Sequence, residues 1–251
     1  MQKPPELLFI TVFDKGSQEL GLNHLMSLKK QSITNYKAYV TDRDTYERIK
    51  TAGFNVEYEN IDGYIPTTPK DFGTQEFNRF SYIRYKIINR LLKQKKAVWY
   101  MDADTVVLKN LNMFYLNFIQ NNDKYKIDMV VQNDLHMLCT GCMFFLPNTK
   151  TVEFTQRVFD HSSYEMNDQN YIGYIFRDEK PNISFTVFDY MEFPNGFLYF
   201  ENQIDVPEEM HEFKRKYENN RAKTTVFVHA NWMVGVANKI NAFKMRGLWF
   251  V

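Results

Sequence analysis

The sequence predicts an α/β protein with a Rossmann-like, mostly parallel central sheet flanked by helices. Three observations carry that prediction. Two short, continuous apolar runs, Leu7 to Phe13 and Ala97 to Met101, read as strands covered on both faces. Between them lie segments whose apolar residues recur at helical steps, so strand and helix alternate. Glycine (10) and proline (8) are sparse and scattered, and no composition break marks a boundary within residues 1–251.

The elements follow in order. After the first strand, Leu20, Leu25 and Leu28 give a helix over roughly 17–30. Tyr36–Val40 is a second strand ending in Thr41-Asp42, followed by a short helix and the extended run Phe54–Tyr58. Glu59–Thr74, with Gly63, Pro66, Pro69 and Gly73, reads as an irregular loop. Residues 76–94 form the clearest helix, because Phe77, Phe80, Ile83, Ile87, Leu91 and Leu92 make one apolar stripe. Lys93, Lys95 and Lys96 at its end complement the helix dipole as a solvated terminus. Ala97–Met101 then runs straight into Asp102-Ala103-Asp104, at the strand end where open α/β sheets bind ligands. The second half is less regular. It offers strands at Ile127–Gln132, Cys142–Leu146 and Thr225–Val228, helices at about 151–161 and from Asp168, and a closing helix, Val236–Met245.

Composition excludes several classes. With 31 Lys+Arg against 30 Asp+Glu the net charge is +1, which argues against nucleic acid or an anionic membrane as a bulk electrostatic partner. Aromatic residues make up 16% of the chain, enough for a large core and too many for disorder. Leu7–Phe13 is too short to span a membrane, ends in Asp14 rather than a cleavage site, and no later run reaches the length of a span. Two cysteines make no disulfide framework, so a reducing, cytoplasmic setting is the expectation. Cys139-x-x-Cys142 spells a redox motif, but it leads into a strand. Its odd spacing there sends the two sulfurs to opposite faces, and no second pair exists for zinc.

The acidic pair carries the chemistry. Carboxylates at i and i+2 past an extended segment project to one side and supply hard oxygen ligands for Mg²⁺ or Mn²⁺, ions that share their shell with phosphates. A solvated turn with two surface acids is the bland alternative. The buried strand before the pair and Val106-Val107-Leu108 after it favour the metal, since acids at a central strand end are costly unless a cation joins them. The spelling Met101-Asp102-Ala103-Asp104-Thr105-Val106 also fits haloacid-dehalogenase-type phosphatases, with a nucleophilic first Asp. In those enzymes the motif normally lies near the N-terminus and a later acidic pair completes the magnesium site.

Phe77-Asn78-Arg79 through Arg84, Leu91-Leu92 and Val98-Trp99-Tyr100-Met101 before the acidic pair resemble the nucleotide-diphospho-sugar transferases of the GT-A fold. The resemblance is nearest to the retaining glycosyltransferase family 77 group, which includes plant cell-wall arabinosyl- and xylosyltransferases. Cys139-Thr140-Gly141-Cys142-Met143-Phe144, Asp168-Gln169, Phe193-Pro194-Asn195-Gly196 and Val228-His229-Ala230-Asn231-Trp232 follow in the family's order, with Gly235 and Lys239 behind them. The ordered set covers roughly residues 70–250, and the first 60 residues match only as a βα nucleotide-binding start.

That resemblance implies one GT-A domain, with residues 1–105 as nucleotide-binding half and 106–251 as sugar and acceptor half. It implies transfer from a nucleoside-diphosphate sugar, such as a UDP-sugar, to a glycan or other hydroxyl acceptor with retention, dependent on Mn²⁺ or Mg²⁺. Asp102, Asp104 and His229 are the implied metal ligands. Thr11, Arg84, Asp102, Ala103, Asp104, Gly235 and Lys239 are the implied nucleotide-sugar contacts, with Lys239 on the diphosphate. Asp168, Gln169 and Asp134 are the implied catalytic or sugar-site residues. Cys139 stands where the family has Asn, and Arg84 where Lys is commoner. The plant enzymes also carry a membrane anchor, for which this sequence shows no run.

Alternative roles stand beside these. His229 could be a strand-end histidine satisfied by backbone, although Asn231, Gly235 and Lys239 around it favour a ligand. His24, His136, His161 and His211 read as surface residues. Asp168-Gln169 also fits a helix N-cap and its neighbour. Phe77, Phe80 and Trp99 read as core, whereas Tyr199, Trp232 and Trp249 lie where a sugar ring could stack. A nucleotide-sugar-binding protein without turnover is the non-enzymatic alternative.

Overall fold

Seven strands form the central sheet of this computed structural model, which describes residues 3–61, 73–135, 137–161, 165–200, 206–220 and 224–251. Strand β1 (Leu7–Phe13) is buried along its whole length, between β2 (Tyr36–Val40) and β4 (Ala97–Met101), both parallel to it. The order is β3-β2-β1-β4-β7-β6-β8, with β3 at Val56–Tyr58, β6 at Met129–Asn133, β7 at Leu138–Phe145 and β8 at Phe185–Val187. Strand β7 alone is reversed, antiparallel to β4 and β6, so the mostly parallel expectation holds.

Pleating divides the strand residues between two cores. Leu7, Phe9, Phe13, Trp99 and Met101 face one layer, which holds helices α1 (Gln18–Lys30), α4 (Leu111–Tyr125) and the closing helix, α9 (Val236–Met245). Leu8, Ile10, Val12, Val98 and Tyr100 face the other, under α3 (Gln75–Lys93), α5 (Thr149–Asp160) and α6 (Asp168–Tyr174). Much of the aromatic excess resolves here: Trp99 packs among Phe9, Phe144, Phe188 and Phe193 with ring centroids 5.3–6.0 Å away. Phe77 and Phe80, expected in the core, are only half-buried, because the stripe of α3 sinks into the sheet from Tyr82 onward.

Helix α3 is capped by Thr74, whose hydroxyl accepts from Phe77 N, and the short α2 (Arg43–Thr51) is capped by Asp42. Most expected elements appear within a few residues of their predicted bounds, and the closing helix lies where it was predicted. The C-terminal strand is shifted: β9 is Phe227–His229, not Thr225–Val228. Helices α4, α7 (Gly196–Tyr199) and α8 (Glu208–Glu218), strand β8 and strand β5 (Thr105–Val107) were not foreseen. Residues 62–72 of the expected loop lie outside the described residues. Among the described residues no helix is long and apolar enough to cross a membrane.

Two irregularities position the site. Strands β5 and β9 pair as a separate two-stranded antiparallel sheet that sets Thr105 opposite His229. In β7, Met143 pairs with Val131 but Cys139 pairs with Gln132, so Thr140, Gly141 and Cys142 bulge out of the β6 ladder. The bulge leans toward β4, where Cys142 pairs with Met101 and Asp102 N donates to the Gly141 carbonyl at 2.8 Å.

Candidate active site

Asp102 and Asp104 follow β4 in a turn rather than an extended segment, yet their carboxylates converge, as expected. Each has one oxygen already held. Asp102 Oδ1 accepts from Arg84 Nη1 at 3.0 Å and from the Tyr100 hydroxyl. Asp104 Oδ2 is 2.6 Å from Lys239 Nζ. The other two oxygens face one atom: His229 Nε2 lies 3.3 Å from Asp104 Oδ1 and 3.8 Å from Asp102 Oδ2. Ligand atoms of the three residues lie within 4.8 Å of one another. Burial opposes the Asp104 carboxylate, but Lys239 and His229 outweigh it and hold its pKa well below the ordinary range.

Backbone geometry brings His229 to the acids across more than 120 residues. The β5–β9 pairing aligns it with Thr105, and Ala230 N donates to the Asp104 carbonyl at 2.9 Å. Gly141 leaves room beneath it: a Cβ there would overlap the His229 ring and sit 2.6 Å from Asp102 Oδ2. Lys239 is in the first turn of α9, and its N donates to the Gly235 carbonyl at 3.3 Å. Gly235, at φ 86°, takes the left-handed conformation that starts this helix. Ala103 is buried in the turn between the two acids.

Arg84, expected to face a nucleotide, instead lies behind Asp102. It is buried, donates to the Thr140 carbonyl at 3.1 Å and the Ser81 carbonyl at 2.8 Å, and sits 3.6 Å from Asp168. Burial opposes its charge, while Asp102 and Asp168 raise its pKa above the ordinary value. Asp168 is equally enclosed, accepting from the Tyr85 hydroxyl at 2.8 Å. It is the first helical residue of α6; the cap is Asn167, which accepts from Asn170 N. Gln169 is half-buried and turns its amide to Met137 Sδ at 3.4 Å.

Asp134 sits in a second polar cluster. Its Oδ1 accepts from Asn195 Nδ2 (2.7 Å), Trp232 Nε1 (2.8 Å) and Asn231 Nδ2 (3.1 Å), so Trp232 is fastened by its indole nitrogen. Asn231 also reaches Cys139 Sγ at 3.6 Å, which lies 3.7 Å from His229 Nδ1. The two clusters thus share an edge. Burial raises the Cys139 thiol well above its ordinary pKa, so it stays protonated, and Cys142 turns away to Trp99 Nε1. Thr11 lies inside β1, and its Oγ1 has no hydrogen-bond partner among the described residues.

Three residues escaped the sequence reading. Gln132, fully buried, contacts His229 Nδ1, and its only signal was a polar side chain ending an apolar run. Tyr85 and Tyr100 hold Asp168 and Asp102, and nothing local separates them from core tyrosines. His24 is corrected: it is buried under β5, with Nδ1 2.9 Å from Thr105 Oγ1, because α1 packs on that strand. His161 is exposed, His211 is half-buried, and His136 lies outside the described residues.

Two carboxylates and an imidazole at the carboxyl end of a Rossmann-like sheet define an α/β protein with a candidate divalent-cation site. Residues 31–243 match the family described as nucleotide-diphospho-sugar transferase, and the chain belongs to that family. It is 21% identical over 211 residues to a UDP-galactose:fucoside alpha-3-galactosyltransferase of Dictyostelium discoideum, covering 75% of this chain and 31% of that protein. It is 24% identical over 208 residues to a UDP-D-xylose:L-fucose alpha-1,3-D-xylosyltransferase 1 of Arabidopsis thaliana, covering 73% of this chain and 54% of that protein. The chain therefore spans a third to about half the length of these relatives. A crystal structure of a glycosyltransferase involved in the glycosylation of the major capsid of PBCV-1 shares the GT-A fold. Its TM-score is 0.54 at 11% identity, over 94% of this chain and 97% of that one. The phosphatase alternative falls with the family match.

Proposed function

We propose that the protein is a divalent-cation-dependent glycosyltransferase that moves a sugar from a UDP-sugar to a hydroxyl acceptor with retention. The observation that carries this reading is the convergence of Asp102 Oδ2, Asp104 Oδ1 and His229 Nε2, while Arg84 and Lys239 occupy the remaining carboxylate oxygens. Such an oxygen and nitrogen set suits Mn²⁺ or Mg²⁺. The names of both relatives support a UDP donor and an α linkage, and residues 1–105 and 106–251 then supply the nucleotide and sugar halves.

Asp102, Asp104 and His229 hold the cation, which when bound neutralises the charge growing on the departing diphosphate. Lys239 adds a point charge at the same edge, placed by Gly235 and fixed by Asp104. Arg84, clamped between Asp102 and Asp168, keeps the first ligand oriented. Asp134, its Oδ1 filled by three donors, and Gln169 border the space for the sugar. Asp168, tied to Tyr85 and Arg84, is a support and not a nucleophile. Front-face attack by the acceptor hydroxyl, assisted by the leaving phosphate, needs no protein nucleophile.

Incubation with Mn²⁺ and a panel of nucleotide sugars, followed by nucleotide release and sugar transfer, tests the proposal. Release from UDP-sugars that stops with EDTA is the expected result. Phosphate release from phosphomonoesters without nucleotide binding overturns it. Tight UDP binding with no turnover of any donor, across acceptors of several classes, favours the non-enzymatic alternative.

A further inference from the structure

Gln132 is fully buried at the end of β6, opposite the β7 bulge, and makes contacts at both ends of its amide. Its Nε2 donates to the carbonyls of Phe193 (3.3 Å) and Pro194 (3.2 Å). Carbonyl oxygens only accept, so the NH₂ group must point at them and Oε1 must point the other way. There Oε1 lies 2.8 Å from His229 Nδ1. Among the described residues the other polar neighbour of Nδ1 is Cys139 Sγ, a weak acceptor at 3.7 Å.

From this we infer that Gln132 is the positioning residue of the cation site, fixing His229 as the Nδ1–H tautomer with the Nε2 lone pair directed between Asp102 and Asp104. The inference rests on reading those three residues as a cation site. A lone pair aimed at two carboxylate oxygens is repulsive by itself and becomes favourable when a cation lies among them. Anchoring the amide on two backbone carbonyls disfavours the flipped ring, which would face Oε1 with a C–H, and the neutral Nε2–H tautomer, which would set two lone pairs against each other. The Phe193-Pro194 segment thereby acts on the site through the Gln132 side chain.

The test joins a tautomer measurement on the wild type with Mn²⁺ titrations of variants. In the cation-free wild-type chain, ¹⁵N–¹H correlation spectra at alkaline pH are expected to show His229 protonated at Nδ1. Mn²⁺ binding, followed by electron paramagnetic resonance with UDP present, is expected to weaken about 10- to 100-fold in Gln132→Met. Gln132→Glu keeps an acceptor for Nδ1–H and is expected to stay within a few-fold of wild type. If Gln132 merely anchored the 193–194 segment, Glu would be as poor as Met. An Nε2–H tautomer in the wild type, or equal Mn²⁺ affinity in Gln132→Met, overturns this inference alone. A wild type that takes up no Mn²⁺ overturns the cation-site reading and this inference with it.

Discussion

Gly141 shows how narrow the tolerances are at the scale of one residue. Any Cβ at that position would enter the space of the His229 ring and of Asp102 Oδ2. Gly141→Ala is therefore expected to displace both ligands and cost about 1–3 kcal/mol of stability. Chemical denaturation reads the stability, and calorimetric titration of UDP with Mn²⁺ is expected to show binding lost well beyond what that cost explains. Binding at wild-type strength would show that the overlap is relieved elsewhere. Gly235 makes a complementary case, because its need is conformational: φ is 86°, and among the described residues an added Cβ would meet only Asn238, at an ordinary 3.8 Å. Gly235→Ala should cost about 1–2 kcal/mol and weaken UDP binding through a displaced Lys239, while leaving the Asp102–His229 geometry intact. Mn²⁺ binding without nucleotide separates the two variants.

Elements decide which residues meet. Helix α1 buries His24 against β5, and burial lowers the imidazole pKa to about 4. The unfolded pKa is near 6.5, so the neutral ring contributes stability above that pH, and the contribution is lost as pH falls from 6.5 toward 4. The full loss is about 3 kcal/mol. Urea midpoints across that window should fall more steeply for wild type than for His24→Asn, and parallel slopes would contradict the burial account. The elements also explain what the sequence could and could not reveal. Leu7–Phe13, the α3 stripe and the Val236–Met245 helix were legible because each carries a local signal of its own, an unbroken apolar run for the strand and a helical period for the other two. Strand β5 was not, since a three-residue strand has no period and exists here only through pairing with β9, which was legible as Thr225–Val228 but lies shifted at Phe227–His229. The bulge at Thr140–Cys142 was hidden for a similar reason: it is a mismatch between two strands and belongs to neither sequence. That Asp102, Asp104, His229 and Lys239 come together was legible through ordered motifs. Gln132 touches His229, Tyr100 touches Asp102 and Tyr85 touches Asp168, and none of the three carries a motif of its own.

For the whole molecule, a net charge of +1 conceals a local balance. Arg84 and Lys239 each cover one carboxylate, and the oxygens left over converge with an imidazole at the carboxyl edge of the sheet. The three residues come from distant parts of the chain, two after β4 and one at the end of β9, so the site exists only when the seven-stranded sheet and the β5–β9 pair have both formed. Cation and nucleotide should consequently stabilise the fold as a unit. UDP plus Mn²⁺ at a hundredfold excess over the dissociation constant should add about 2.7 kcal/mol, read as a raised thermal midpoint that EDTA reverses. The central claim is that Asp102, Asp104 and His229 form a cation site on which a nucleotide depends. It is tested most directly by calorimetric titration of UDP into wild type and Asp104→Ala, each with Mn²⁺ and with EDTA. Binding to wild type with Mn²⁺ alone, absent in the other three titrations, is the predicted result. UDP binding of equal strength in EDTA, or in Asp104→Ala with Mn²⁺, would contradict the account.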